Sequence, residues 1–396
     1  MKLRTHRAGI GAVALALAVG TTLLGSAGNA TAQSSSPAAA KTVLLGQGEG
    51  AAFAMTNATA GNQIVRYRRS ADGSLRRVGT TNTRGLGIGV DLDTQGPLRL
   101  SQDHRFLYAV NAGSDSVSVF AVDGTDLTLK ETVYAGDQPV SLTLHDDLLY
   151  VLDGSVASNS IRGFSIGANG RLSPITGSVQ PLSSPIAVPG DIEFSPDGST
   201  ILVTEKTTAL TLKPSIALDA FAVDKNGVAG VAKRNQSAGI RPFALAFRND
   251  KQVVVAESFD ASAGRSAVSS YALKGGTLQA NSTSVANHQT DTCWIVVTHD
   301  GRYAYTANFG SGTISSYALG DDGTVTLRQG TAASLGLSSQ PVDLAQTADS
   351  HFLYLLMRGK GGVAQFRIGD DGALTRVGVA IGGLPVADGA SGLAAY

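Results

Sequence analysis

The chain has 396 residues, with 31 basic and 31 acidic side chains, no net formal charge and only 16% charged residues. That balance lacks the basic footprint of a nucleic-acid or anionic-membrane binder, so the expected partner is small or uncharged. The single cysteine, Cys293, excludes an intramolecular disulfide, and stability must come from packing.

Taken from the amino terminus, Lys2, Arg4 and Arg7 form a basic start, residues 10–19 an apolar stretch, and Ala30-Thr31-Ala32 a small-residue cleavage site. Residues 1–32 therefore read as a secretory signal peptide, and an extracellular or periplasmic protein is expected. Gly20, Thr21 and Thr22 interrupt the apolar run before it reaches the ~20 residues of a transmembrane helix, so no membrane anchor is expected. Residues 33–42, rich in Ser, Pro and Ala, read as a flexible linker, and the folded domain as 43–396.

From there one pattern recurs. An apolar segment crosses a short turn, returns as an aromatic or aliphatic strand ending on a polar residue, and continues to a second turn. Leu98 to Asn111 and Ile295 to Asn308 are the clearest copies. The end-residues Asn57, Asn111, Asp153, Glu205, Glu257, Asn308 and Met357 are spaced by 54, 42, 52, 52, 51 and 49 residues. A period of about 50 indicates a propeller or an array.

Turns such as Asp197-Gly198 and Asp300-Gly301, and later ones at Asp72-Gly73, Asn169-Gly170, Asn226-Gly227, Asp322-Gly323 and Asp371-Gly372, give each unit two hairpins. Two hairpins make a four-stranded antiparallel blade, too small to bury both faces alone, so the units must stack in a ring. The expected fold is all-β: a seven-bladed β-propeller. The tail Gly389 to Tyr396 resembles a first strand with nothing after it, while the unit from Ala51 to Val78 lacks one. The C-terminal strand is therefore expected to close the ring.

Antiparallel alternation sorts residues onto two faces. Starts of first strands, ends of second strands and the long loops share the upper face; His104, His145, His299 and His351 fall in first turns below. Of the histidines downstream of the leader, that leaves His288 above. Asn57, Asn111 and Asn308 suit loop-starting structural roles. Glu205 and Glu257, with Lys206 beside the first, sit at equivalent positions in adjacent units, and Arg241 begins an inner strand between them, so all are expected to converge on one side of the funnel. Carboxylates and cations in a partly buried funnel are what tuned acid/base chemistry requires; a salt-bridged structural plug is the alternative. Cys293 and Trp294 read as core residues. No metal-ligand or cofactor motif stands out, although Asp153, Asp191 and Asp291 could ring a calcium ion.

The blade segments Phe106 to Phe120, Phe194 to Gly198 and Tyr305 to Tyr317 resemble the seven-bladed propeller lactonase family, which includes 6-phosphogluconolactonases and carboxymuconate cyclases. The resemblance covers about residues 43–396. It implies an arginine at the start of an inner strand, matched by Arg241 in Gly239-Ile-Arg-Pro-Phe243 one position displaced, with the family's neighbouring histidines replaced. Arg358 lies where the family has Asn-Arg, and Glu257 near its Asn-Glu.

Two functions follow as expectations. One is a secreted lactonase-like hydrolase of a small lactone or related cyclic ester, with Glu257 or His288 as base, Arg241 and Arg358 on the oxyanion or substrate carboxylate, and Glu205 orienting Arg241. Lys206, Asp191, Asp291 and Asn308 join Glu205 as candidate substrate-binding residues. The other is a non-catalytic propeller binding a small ligand or protein on the same face. A monomer is expected in either case, with no cofactor.

Overall fold

The computed structural model describes residues 48–209, 211–386 and 389–396. The leader, the linker and residues 43–45 lie outside the described residues. Where the sequence alternates between Asp/Asn-Gly turns, seven antiparallel sheets form in chain order. Their inner strands are Leu393–Ala395 for blade 1, Leu98–Leu100 for blade 2, Pro139–His145 for blade 3, Ala187–Phe194 for blade 4, Pro242–Asn249 for blade 5, Thr292–Val297 for blade 6 and Pro341–Gln346 for blade 7. Each is followed outward by three strands in sequence order, except in blades 1 and 3. In blade 3 the outermost strand is split into Leu172–Pro174 and Gln180–Pro181, both paired with Ser160–Ile166. Each piece ends on a proline, which cannot donate to a ladder.

Blade 1 is completed by the chain terminus. Ala52, Phe53 and Ala54 pair with Ala395, Ala394 and Leu393. Beyond the ladder, the Arg69 Nε donates to the Tyr396 carbonyl at 2.8 Å, and the Tyr396 ring stacks on His104 of blade 2 at 4.7 Å. The last residue thus ties blade 1 to blade 2.

A repeated tyrosine cements the blades. The hydroxyls of Tyr108, Tyr150, Tyr305 and Tyr354, each in a second strand, donate to the carbonyls of Gly170, Gly227, Gly372 and Gly73 in the second turn of the next blade, at 2.7–3.2 Å. Those glycines have φ of 75–88°, a conformation that a Cβ disfavours. Blade 5 has no such tyrosine, and Ser270 serves the Gly323 carbonyl instead at 2.7 Å. Among the described residues no helix is long and apolar enough to cross a membrane.

Candidate functional site on the upper face

The segment joining blades 1 and 2, residues 84–97, crosses the upper mouth of the funnel as a strap. Asn57 holds its first half, donating to the Val90 carbonyl at 2.7 Å and to Gly389 of the tail at 3.1 Å. The second half descends into the channel. Thr94 donates to the Val140 carbonyl of blade 3 at 2.6 Å and accepts the Trp294 indole N–H of blade 6 at 3.0 Å. Gln95 goes deepest: its amide nitrogen donates to Asp191 at 3.1 Å and to the Leu245 carbonyl at 3.3 Å, and its amide oxygen accepts the Ile295 N–H at 2.9 Å. One side chain thereby links blades 4, 5 and 6 and closes the channel from above.

Two carboxylates of the strap meet the cations of the upper face. Asp93 accepts from Lys206 at 2.5 Å and lies 3.6 Å from Arg241, while Asp91 pairs with Arg358. Lys206 is buried and its ammonium also sits 4.6 Å from the centre of the Phe243 ring. Arg241 has a second partner in Asp260 at 3.2 Å, and the Arg358 guanidinium covers Phe309 at 4.8 Å. The Asp93 side chain keeps 40% exposure, so solvent reaches this cluster.

The backbone beneath is strained in a repeated way. Arg241, Asp291 and Gln340 each immediately precede the inner strand of blades 5, 6 and 7, and each is left-handed, with φ of 55°, 59° and 46°. Non-glycine residues hold that conformation only where surrounding structure enforces it, at a cost of about 1–3 kcal/mol each. For Arg241 the enforcement is visible in its own N–H bonding Ser215 at 2.7 Å and its carbonyl accepting from Ser258 at 3.2 Å. The three side chains gather on the cluster, with Gln340 accepting from Arg358 at 3.4 Å.

Electrostatics follows from this crowding. Burial raises the Asp291 carboxyl above its ordinary range, opposed by the Cys293 thiol, which donates to it at 3.3 Å, and by Arg241. Burial disfavours the charged Arg241, but Asp93, Cys293, Asp291 and Asp260 outweigh it and hold the guanidinium more basic than usual. Burial and the nearby Asp291 push the Cys293 thiol well up, so it is no thiolate nucleophile.

The expected convergence of Glu205, Glu257 and Arg241 does not occur. Glu257 is fully buried inside blade 5, accepting from Ser269 at 2.5 Å, Ser284 at 2.8 Å, Ser237 at 3.4 Å and the Gly239 N–H at 2.8 Å, with no ion-pair partner among the described residues. Glu205 does not orient Arg241 either. Its partners are Ser183 at 3.1 Å, the Ser184 N–H at 3.2 Å and Arg234 at 3.4 Å, beside Asp219 within blade 4. These second-strand ends thus face into their blades, bonded by hydroxyls and amides of the same blade or its entry loop, whereas Lys206, one residue on, turns to the funnel.

Asn308 follows the same rule, buried and bonded to Thr313, Ser315 and Thr292 at 2.6–2.9 Å. His288 is exposed and its ring has no hydrogen-bond partner among the described residues. Asp191 lies deeper in the channel, bonded to Gln95 and to the Leu245 N–H at 3.0 Å, and Asp153 caps a loop through the Asp137 and Ser155 amides. Asp153, Asp191 and Asp291 are thus held on separate partners. Among the described residues no three His, Cys, Asp or Glu side chains are placed to hold a metal ion.

Sequence reasoning missed Asp91, Asp93, Gln95 and Asp260. A signal existed for the strap: 54 residues is the longest spacing in the repeat, and the insertion carries Gly85, Gly87 and Gly89 followed by two aspartates. Long loops on a rigid scaffold are where function concentrates.

The upper mouth of this propeller thus gathers Arg241 and Asp291 from inner-strand starts, Lys206 and Arg358 from the ends of second strands, and Asp91 and Asp93 from the strap. The family described as "Lactonase, 7-bladed beta-propeller" matches residues 52–190 and 239–341. This chain belongs to that family. No curated protein matches the sequence. Among solved structures, a candidate 6-phosphogluconolactonase of Bacteroides uniformis is 18% identical with a TM-score of 0.67, covering 88% of this chain and 100% of its own. The periplasmic gluconolactonase of Pseudomonas aeruginosa is 18% identical with a TM-score of 0.65, covering 88% and 99%. A hypothetical selenium-binding protein of Sulfolobus tokodaii, 9% identical with a TM-score of 0.63, covers 87% and 93%. At such identities these likenesses speak for the fold alone.

Proposed function

We propose that this protein is an exported hydrolase that opens a small lactone at the upper mouth of its funnel. The observation that carries the reading is the left-handed backbone repeated at Arg241, Asp291 and Gln340, which turns a cation, a carboxylate and an amide from three consecutive blades onto one cluster. Family membership supports the reaction class.

Ester opening needs a water made nucleophilic and donors for the oxyanion of the tetrahedral intermediate. Asp291 suits the base: half-buried, with a raised pKa, and bonded to a neutral thiol rather than locked in a short ion pair. It takes the proton as water oxygen bonds to the lactone carbonyl carbon. Arg241 donates to the oxyanion, with the buried Lys206 behind Asp93 adding positive charge, and Arg358 orients the rest of the substrate. When the ring C–O bond breaks, Asp291 returns its proton to the leaving alkoxide, so lactone and water give one hydroxy acid. Glu257 and His288 are not needed. The first is saturated by hydroxyls and an amide; the second stands apart in solvent.

The test is turnover of γ- and δ-lactones by the purified protein. Asp291→Asn keeps shape but not basicity, and should lower kcat about 10²-fold or more with melting temperature little changed. Unchanged kcat in this variant ends the assignment. The second reading, a non-catalytic binding propeller, is favoured by the way Asp93 already fills Lys206 and Arg241; no turnover across the panel, with ligand still bound, selects it. Export is tested separately by an amino terminus at Gln33 in the secreted protein.

A further inference from the structure

The opposite end of the same channel has its own cavity. Below the inner strands of blades 6, 7, 1 and 2 lies a space of about 560 Å³, and below those of blades 2, 3 and 4 one of about 460 Å³; they share the stretch Arg99 to Gln102 as a common wall. Both volumes fall in the roughly 300–1,000 Å³ range of small-molecule sites. Gln95 closes the channel from above, and Gly96 with φ of 76° lies so close to Arg99 that an added Cβ would sit 2.6 Å from its Nη2. The lower mouth is therefore a blind vestibule roofed at Arg99 rather than a pore.

We propose that this vestibule is a second binding site, taking a neutral polyhydroxylated molecule of sugar size. Arg99 carries the argument. Its Nη2 bonds Glu193 and lies 4.0 Å from Asp191, but Nη1 bonds nothing among the described residues and the buried Nε has no acceptor. The side chain keeps 30% exposure and lines both cavities. An unpaired guanidinium donor calls for an oxygen acceptor. On the smaller cavity's side of Arg99, Glu193, bonded to Thr143 at 3.2 Å, presents a carboxylate that accepts hydroxyl hydrogens.

Charge then selects the class. An anion attracted to Arg99 meets the Glu193 carboxylate paired with it; a cation attracted to Glu193 meets the guanidinium. A hydroxyl donates and accepts at once and suffers neither repulsion. Leu100, Val296 and Ala345 offer apolar wall to the C–H face of a ring, and Gln102, His104 and His299 line the space with further polar groups. This site is independent of the lactonase reading, being on the other face and sharing none of its residues.

D-glucose, D-glucosamine and D-glucuronate are pyranoses of similar size that differ in charge, so they serve as probes in saturation-transfer NMR on the full protein. Glucose should give the strongest signal. Ala345→Phe, which fills the vestibule, should cut that signal at least about fivefold, and so should Gln102→Trp on the exposed rim, a change that leaves the packed strands alone. Asp291→Asn should leave it intact, separating this vestibule from the upper cluster. The proposal is overturned if glucose gives no signal, if both filling variants keep it, if Asp291→Asn abolishes it, or if either charged sugar binds as well as glucose.

Discussion

Glu257 shows how a side chain with an active-site profile becomes structural. Its burial raises its pKa, but three serine hydroxyls and one amide hydrogen-bond its carboxylate and oppose the rise. Nothing in that shell depends on a substrate. Glu257→Gln should therefore leave lactone turnover within about twofold while lowering stability by roughly 1–3 kcal/mol, the cost of mismatching buried hydrogen-bond partners. Differential scanning calorimetry beside an activity assay checks both halves, and a large loss of turnover in a folded variant contradicts the placement. Gly239 belongs to the same unit, since any Cβ there would collide with the Glu257 carboxylate. Cys293 contributes a donor to Asp291 and little else that serine could not supply.

Blade 4 and the strap act as elements. In blade 4, burial and the neighbouring Asp219 raise Glu205 to about 7, with Arg234 opposing. An acid whose folded pKa is raised stabilises the fold fully below its unfolded value, and that contribution is lost as pH rises through the folded value. Asp343, raised by burial to about 7 despite bonds from the Gly392 and Gly96 amides, acts with the same sign. Both groups should make stability decline between about pH 4.5 and pH 7, and Glu205→Gln should flatten its share; urea titrations at a series of pH values decide this. A slope of opposite sign in the parent, or an unchanged slope in the variant, would count against the pair. For the strap, Gln95→Ala removes the acceptor of the Ile295 N–H, and that amide should exchange with deuterium at least about tenfold faster. Equal protection would mean that Gln95 is not what closes the channel.

At the scale of the molecule the ring is held by its last strand. Deleting residues 391–396 removes the inner strand of blade 1, the buried Leu393 and Ala394, and the Tyr396 contacts to Arg69 and His104. The edges exposed on blade 1 then have no partner, a liability in any sheet. The melting temperature should fall by at least about 10 °C, corresponding to several kcal/mol in a domain of this size. A truncated protein that melts with the parent rules out closure by the tail.

Blade number and ring closure were legible in the sequence because both are local or periodic. Asp-Gly and Asn-Gly turns set hairpins, alternation sets faces, and a regular interval counts the units; a tail with one strand and a first unit lacking one have a single pairing that completes both. Arg241 and Arg358 could likewise be put on the upper face, since strand ends alternate between faces. Which way a side chain turns at a strand end was not legible. Glu205 and Lys206 are adjacent, yet one points into a blade and the other to the funnel, and only the contacts of Glu205 with Ser183 and Ser184 and of Lys206 with Asp93 make that choice. The strap was still less accessible, because Asp91, Asp93 and Gln95 meet partners about 100 residues away or more, in up to three blades at once. Those contacts exist only after the ring has closed and brought the blades around one axis.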